Sequence, residues 1–417
     1  VLVGVDLGRA QEISSEDSLA ELAALTEGAG AQVAGTVRQR LKEIDPRTFI
    51  GRGKVAEVRE LARAAGASLV IFDDNLGAAQ ARNLEQELEL RVIDRSQLIL
   101  DIFAQRARTL EGKLQVEVAQ LAYLQPRLTR QWMHLSRMTG GAGAGGRIGT
   151  RGPGETQLEV DRRRVRERLT RLRVRLREVE RTRTIQRRRR LEVPYPTVAL
   201  AGYTNSGKST LMNALTDAGV VVADRPFSTL DPTIRRLRLP GGANVMLADT
   251  VGFIHRLPHM LVEAFKATLE EVRTASLILH VVDSSSPQAA EQIAVVDRVL
   301  AEIGAGATPR MMVMNKADLA ENLAGNPARA PAALDSVTIS ARTGDGLDRL
   351  REAIARFFAG LREEVRVELS ASRGDLIAMA RREGQVLSEE YNNGMVSVRA
   401  LVTPVVAGRL RKAAASA

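Results

Sequence analysis

Alternating apolar runs and amphipathic stretches divide the 417-residue chain into four parts. At the start, apolar runs at Val1–Val5, Ala31–Val37, Ser68–Phe72 and Arg91–Ile93 predict strands, and helical periodicity at Leu19–Leu25, Lys54–Ala65 and Ala78–Glu87 predicts helices between them. Their alternation predicts an α/β domain over 1–95. A different pattern follows. Phe103, Ala107, Leu110, Leu114, Leu121, Leu124 and Leu128 keep spacings of three and four if Glu117 is skipped, and Val165, Leu169, Leu172, Leu176 and Val179 keep them without a gap. Two such seams predict a long antiparallel helical hairpin over 96–190. Over 191–360 the chain returns to strands, at Thr197–Ala201, Asn244–Ala248, Leu277–Val282, Arg310–Met314 and Ser336–Ile339, with helices between them and a last helix at Leu347–Phe358. That order predicts a doubly wound sheet. A small α/β module is expected over 361–417, with strands at Val365–Leu369, Gln385–Leu387 and Met395–Leu401 and a helix at Leu376–Arg382.

Composition sharpens this picture mainly through what it excludes. With 44% hydrophobic residues the chain can build real cores, while its lack of cysteine removes disulfides, thiolate metal sites and a cysteine nucleophile. Four scattered histidines give little support to a histidine-built zinc centre. No apolar run approaches about 18 residues, so neither a membrane span nor a secretory leader is expected and cytoplasmic residence is the default.

The net charge of +10 is concentrated in one place. Between Glu159 and Arg190 stand fifteen arginines, no lysine and five acids, an excess equal to that of the whole chain. Arginine's rigid donor fork suits phosphate contacts, so a nucleic-acid-facing surface is the first expectation. A solvated coiled-coil face and a surface for acidic lipid or protein remain alternatives. Before this helix, Gly140–Gly154 holds eight glycines in fifteen positions together with Arg147 and Arg151. Such a stretch suits either an RNA-facing tip or a plain flexible connection, and the nearby Trp132 suits either base stacking or packing between helices. Candidate phosphate contacts on the second helix are Arg162, Arg163, Arg164, Arg171, Arg173, Arg175 and Arg177. Gly51-Arg52-Gly53-Lys54 is too short to specify a phosphate turn and reads first as turn-and-cap chemistry.

The doubly wound region carries the most specific chemistry. Gly202-Tyr203-Thr204-Asn205-Ser206-Gly207-Lys208-Ser209 fits a phosphate loop between a strand and a helix, with Thr210 next in line. Its glycines let backbone amides face phosphate oxygens, Lys208 neutralises charge at the β- and γ-phosphates, and Ser209 offers an oxygen to Mg²⁺. Asp249-Thr250-Val251-Gly252 follows an apolar strand; Asp249 suits a metal-bound water and the Gly252 amide a γ-phosphate. Between them, Phe227-Ser228-Thr229-Leu230-Asp231-Pro232-Thr233 offers a threonine to complete the metal shell, Thr229 before Thr233. Asn315-Lys316-Ala317-Asp318 suits guanine: Asp318 accepts from N1 and N2, Asn315 braces the loop and the Lys316 stem covers the ring. Ser340 and Ala341 would add a contact at O6. Phe253 stands where some GTPases place a water-orienting glutamine, and a phenyl ring neither donates nor accepts, so hydrolysis is expected to be slow without an external surface. His255 nearby suits packing better than catalysis.

Taken together, Gly149–Glu159 with Asp161-Arg162-Arg163, Gly202–Ser209, Thr229–Thr233, Asp249–Phe253 and Asn315–Asp318 resemble the HflX-type GTPases. The resemblance is specific over the hairpin and nucleotide region and looser over the N-terminal domain. It implies a GTPase with Mg²⁺ as cofactor, bound to the large ribosomal subunit near its peptidyl transferase centre, that separates stalled or hibernating ribosomes. It assigns Gly202, Asn205, Gly207, Lys208 and Ser209 to phosphate and Mg²⁺, Asp249 and Gly252 to a switch, Asn315, Lys316 and Asp318 to the base, and the glycine-rich loop and arginine-rich helix to ribosomal RNA. Assembly of the subunit, or RNA binding without remodelling, are the other activities this design would serve. Stable membrane insertion is not expected, and a monomer is the simplest state.

Overall fold

The computed structural model describes residues 1–8, 13–127, 157–191, 195–216, 227, 233–256, 266–320, 336–361 and 363–414. Contacts divide the chain into two units. One comprises Val1–Arg183 with Arg225–Asp231 and Arg256–Ala267, the other Thr184–Asp224, Pro232–His255 and Thr268–Ala417.

In the first unit, β1 (Leu2–Asp6), β2 (Thr36–Arg40), β3 (Leu69–Phe72) and β4 (Arg91–Asp94) form a parallel sheet in the order β2-β1-β3-β4. The helices α1 (Ser15–Gly28), α2 (Arg52–Ala64), α3 (Ala78–Leu88) and α4 (Arg95–Arg106) connect or follow these strands. The second strand starts at Thr36, later than the apolar run predicted, because Ala31–Gly35 is irregular and only Val37 of the strand is buried. Gly51 is the N-cap of α2 at φ −66°, in keeping with turn-and-cap chemistry.

The first seam is two helices rather than one. The chain leaves α4 at Ala107, whose ψ of 112° is extended, and restarts where Thr109 Oγ1 accepts from Gly112 N at 3.0 Å to cap α5 (Leu110–Leu124). Heptad spacing survives such a break, so it was invisible in the apolar pattern. The second seam lies on α6 (Gln157–Leu191), where Val165 and Leu169 pack with Val118, Leu121 and Ala122 and Arg168 pairs with Glu117 at 2.7 Å. Trp132, Arg147, Arg151 and the rest of Gly140–Gly154 lie outside the described residues.

The second unit holds a six-stranded sheet of β5 (Thr197–Gly202), β6 (Thr233–Arg238), β7 (Asn244–Asp249), β8 (Leu277–Asp283), β9 (Arg310–Asn315) and β10 (Val337–Thr338), ordered β10-β9-β8-β5-β7-β6. Helices α7 (Lys208–Thr216), α8 (Lys266–Arg273), α9 (Ala289–Glu302), α10 (Ala317–Ala320) and α11 (Leu347–Gly360) complete a doubly wound arrangement. The sheet is mixed, since β6 pairs antiparallel to β7. Sequence reading missed β6: three exposed arginines hide its strand character, and an edge strand needs only one apolar face. The C-terminal sheet joins β11 (Glu363–Ser370), β13 (Met395–Val402) and β12 (Gln385–Asn392) antiparallel in that order. Alternate residues of β11 and β13 pack on α12 (Gly374–Glu383) and α13 (Pro404–Ala414), the last a helix the sequence pattern did not reveal.

Candidate nucleotide site

The parallel sheet positions the site by ending its central strands in a row. β5 is buried on both faces and delivers the chain at Gly202 into a tight loop that restarts as α7 at Lys208. A loop there that leads into a helix N-terminus presents backbone amides and a positive dipole end to an anion. Gly207 has φ +91°, and a Cβ on it would lie 2.3 Å from Asn315 Nδ2, so only glycine fits. Asn315, at the end of β9, donates from Nδ2 to Ser206 O at 2.8 Å and accepts at Oδ1 from Ala341 N at 2.9 Å. One side chain thus ties the phosphate loop to the loops after β9 and β10. Ser206 Oγ is buried without a hydrogen-bond partner among the described residues.

Lys208 is buried, and its Nζ donates to Tyr203 O at 2.7 Å and Gly202 O at 3.1 Å. Burial pushes its pKa down to about 8, against the opposing pull of Asp249. Ser209 Oγ donates to Asp249 Oδ2 at 2.7 Å, so the first residues of α7 meet the end of β7. Beyond Asp249 the turn is zipped to the phosphate loop: Phe253 N donates to Gly202 O at 3.1 Å, and Thr204 N to Phe253 O at 2.6 Å. Phe253 itself is buried. It is a packing residue, and His255 takes part in the zipper through its backbone, donating to Tyr203 Oη at 2.8 Å. A Cβ on Gly252 would lie 3.0 Å from Lys208 Nζ and 2.9 Å from Thr204 Cα, which excludes a side chain there.

The base-side residues also converge. Ser340 Oγ donates to Asp318 Oδ1 at 2.7 Å, fixing that carboxylate at the start of α10. Lys316, at φ +64°, extends its ammonium to Asp283 at 2.6 Å, which anchors the stem in one direction. Asn205 sits in the phosphate loop at φ +60°, and Thr210 is half-buried on α7. Thr233 opens β6 opposite Asp249 in the ladder, whereas Thr229 lies outside the described residues. Among the described residues no three histidines, cysteines or carboxylates gather to hold a metal. A Mg²⁺ ion that keeps water and substrate phosphates as ligands does not need such a cluster.

Sequence reading passed over His280 on β8, which is buried beside Asp297 at 3.8 Å and whose pKa burial pushes down to about 3. It is a neutral core residue. On α6, Arg163, Arg164, Arg171, Arg173, Arg175 and Arg177 are exposed and Arg162 is half-buried, while Val165, Leu169 and Leu172 face inward. Arg171 pairs with Glu167 at 3.5 Å; among the described residues Arg173, Arg175 and Arg177 have no carboxylate at ion-pair distance. No helix of the described residues is long and apolar enough to cross a membrane.

A doubly wound sheet with this phosphate loop, switch turn and base-reading loop defines a P-loop GTPase. Residues 16–104 match the family described as GTP-binding GTPase N-terminal, 106–190 its middle region, and 197–316 the family described as 50S ribosome-binding GTPase. The GTPase HflX of Caldanaerobacter subterraneus is 47% identical over 396 residues, 95% of this chain and 90% of its own length. That of Escherichia coli is 47% identical over 351 residues, 84% of this chain and 81% of its own. A crystal structure of a GTP-binding protein from Sulfolobus solfataricus with GDP covers 85% of this chain and 97% of its own, at 24% identity and a TM-score of 0.43. The chain belongs to the HflX family of GTPases.

Proposed function

We propose that the chain hydrolyses GTP at this site and uses its nucleotide state to bind the large ribosomal subunit and separate stalled or hibernating ribosomes. The observation that carries this reading is the pairing, in one HflX-family chain, of a braced guanine-nucleotide site with an arginine-rich helix that turns a row of arginines to solvent. The match of residues 197–316 to the family described as 50S ribosome-binding GTPase names the same partner.

In this reading Gly202–Ser209 and Thr210 cradle the phosphates, Asp318 reads N1 and N2 of guanine, Lys316 covers the ring, and Asn315 with Ser340 and Ala341 completes the base site. Lys208 exchanges its loop carbonyls for β- and γ-phosphate oxygens. Ser209 would hold Mg²⁺ directly and Asp249 through water, with Thr229, or Thr233 in its place, completing the shell; the 2.7 Å contact of Ser209 with Asp249 fits that division. The bound ion would neutralise charge between the β- and γ-phosphates. Gly252 senses the γ-phosphate. Because Phe253 is buried and cannot orient water, turnover is slow alone and rises on the large subunit. The arginines of α6 named above, with Arg147 and Arg151, meet ribosomal RNA.

The decisive measurement is sedimentation of intact ribosomes with the protein and either GTP, a non-hydrolysable analogue or GDP. A GTP-dependent gain in free subunits is expected. Binding to the large subunit without that gain would leave an assembly factor or a regulated RNA-binding protein instead.

A further inference from the structure

Strand β8 lies between β5, which delivers the phosphate loop, and β9, which delivers the base-reading loop, and its last residue does more than turn the chain. Asp283 stands beside Asn315 in the parallel ladder. Its Oδ1 accepts from Ser285 N at 3.0 Å and from Ser285 Oγ at 2.6 Å, the local turn that an aspartate commonly makes. Its Oδ2 is turned to Lys316, whose Nζ lies 2.6 Å away. Ser284, between them, donates to the carbonyl oxygen of Asn315 from N at 2.9 Å and from Oγ at 2.6 Å.

These contacts hold Lys316 at both ends. Two donors on one carbonyl oxygen fix the plane of the Asn315–Lys316 peptide. Lys316 sits at φ +64°, a left-handed conformation that a residue with a long side chain keeps only where its surroundings impose it. At the far end the Asp283 carboxylate takes the ammonium, and the two side chains are only 16% and 24% exposed, so the pair is partly withdrawn from water. The Coulombic gain of such a pair is modest, yet it selects one path for a stem that otherwise samples many rotamers. That path runs toward β8, whereas Asp318 is bonded to Ser340 after β10, on the other side of β9. The two side chains of the base loop are therefore held from opposite sides by separate partners, all within one unit.

We propose that Asp283 is a positioning residue for the base site: with Ser284 and Ser285 it holds the Lys316 stem where a guanine ring would stack, and so sets affinity for the ring without taking part in the choice of base. The inference rests on the reading of Lys316 as the cover of the ring and of Asp318 as the reader of its edge. A stem already held removes the cost of ordering it when a nucleotide binds. That gain falls equally on GDP and GTP, because in this reading the stem meets the ring and no phosphate. Selection stays with Asp318, whose support from Ser340 does not pass through Asp283.

The test is calorimetric titration of the whole chain with GDP, a non-hydrolysable GTP analogue and IDP, whose base lacks the N2 amine. The proteins are the parent, Asp283→Asn, Asp283→Glu, Lys316→Met and the double variant Asp283→Asn/Lys316→Met, each checked for folding by its thermal transition. Asp283→Asn is expected to weaken GDP and the analogue alike by roughly threefold to tenfold, the effect of one long side chain left to be ordered on binding. The ratio of GDP to IDP affinity should stay within about twofold of the parent's. Asp283→Glu, which keeps the charge, should recover most of the affinity. With Lys316→Met, where a stem remains but the ammonium is gone, adding Asp283→Asn should change affinity by less than about twofold. A role in folding alone would lower thermal stability with affinity unmoved, or weaken binding equally with and without Lys316; either result overturns the proposal, as does a changed GDP-to-IDP ratio. If Asp283→Asn does not fold, Ser285→Ala, which removes only the hydroxyl bond to Asp283 Oδ1, carries the same expectation at smaller size, and affinity equal to the parent's overturns it. Failure of the parent itself to bind guanine nucleotides overturns the nucleotide reading, and the Asp283 inference with it.

Discussion

Asp318 and Lys208 show how much of the chemistry depends on a single side chain held by its neighbours. Ser340 Oγ donates to one oxygen of Asp318, and in the proposed base site that bond would help hold the carboxylate toward the two donors of guanine. Asp318→Asn replaces a charge-assisted acceptor with an amide that mismatches N1. Guanine selection should therefore relax by about 1–3 kcal/mol. Calorimetry with GDP and ADP measures this directly, and equal affinities in the parent would remove the base assignment.

Lys208 supplies a pH test with two opposite signs. Its pKa is lowered to about 8 by burial, so the folded chain disfavours the ammonium. That penalty is present below pH 8 and is relieved as pH rises from there toward the unfolded value, so this group alone makes the fold more stable in mild alkali. Phosphate binding needs the ammonium and draws a proton onto it above pH 8. GTP affinity should thus fall as pH rises through 8, by at most about tenfold per unit, while thermal stability does not fall with it. Titration in buffers of different ionisation enthalpy would show the proton uptake. Affinity that is flat from pH 7 to 9.5 would mean that Lys208 keeps its charge.

At the scale of elements, the arginine-rich helix is a division between two faces. Val165, Leu169 and Leu172 are buried in α6, and exposed arginines occupy the positions between and beyond them. Replacing Arg173, Arg175 and Arg177 with glutamine leaves that seam intact. Binding to the large subunit should weaken, and its salt slope should shrink by about 0.7 to 0.9 for each phosphate no longer neutralised. Measurement across a salt series gives the slope. An unchanged slope would mean that these arginines face solvent on the ribosome as well. The C-terminal module offers a contrast: exposed Arg399 of β13 pairs with Glu364, Arg381 of α12 with Glu389 and Arg411 of α13 with Glu363. Surface charges already paired in this way have less to offer a polyanion.

The whole molecule is expected to separate affinity from placement. Replacing Gly140–Gly154 with a short neutral turn removes Arg147 and Arg151 but none of the α6 arginines. GTP binding and much of the attraction to the large subunit should persist, while subunit separation per bound protein falls. Sedimentation alongside a binding assay distinguishes the outcomes. Weak binding with normal separation per bound protein would make the tip an affinity element.

Sequence alone placed the candidate nucleotide motifs, because the contacts proposed for them are local: backbone amides and a few side chains on loops at the ends of buried strands, each at a fixed spacing. Gly202–Ser209, Asp249–Gly252 and Asn315–Asp318 were legible for that reason, as were the central strands, whose continuous apolar runs have no other reading. Period also revealed α6 and its charge. Pattern could not reveal the break at Ala107–Thr109, because the heptad spacing is kept across it, nor β6, where arginines cover an edge strand's open face. Tertiary structure alone decided which distant residues meet. Asn315 joining the phosphate loop, Ser340 steering Asp318, and Arg256 seated on Asp73 and Asp74 some 180 positions away all depend on folding, since a lone charge or amide carries no signal of its partner. Spacing encodes what a short segment does to itself, and only packing in three dimensions sets which surfaces it is pressed against.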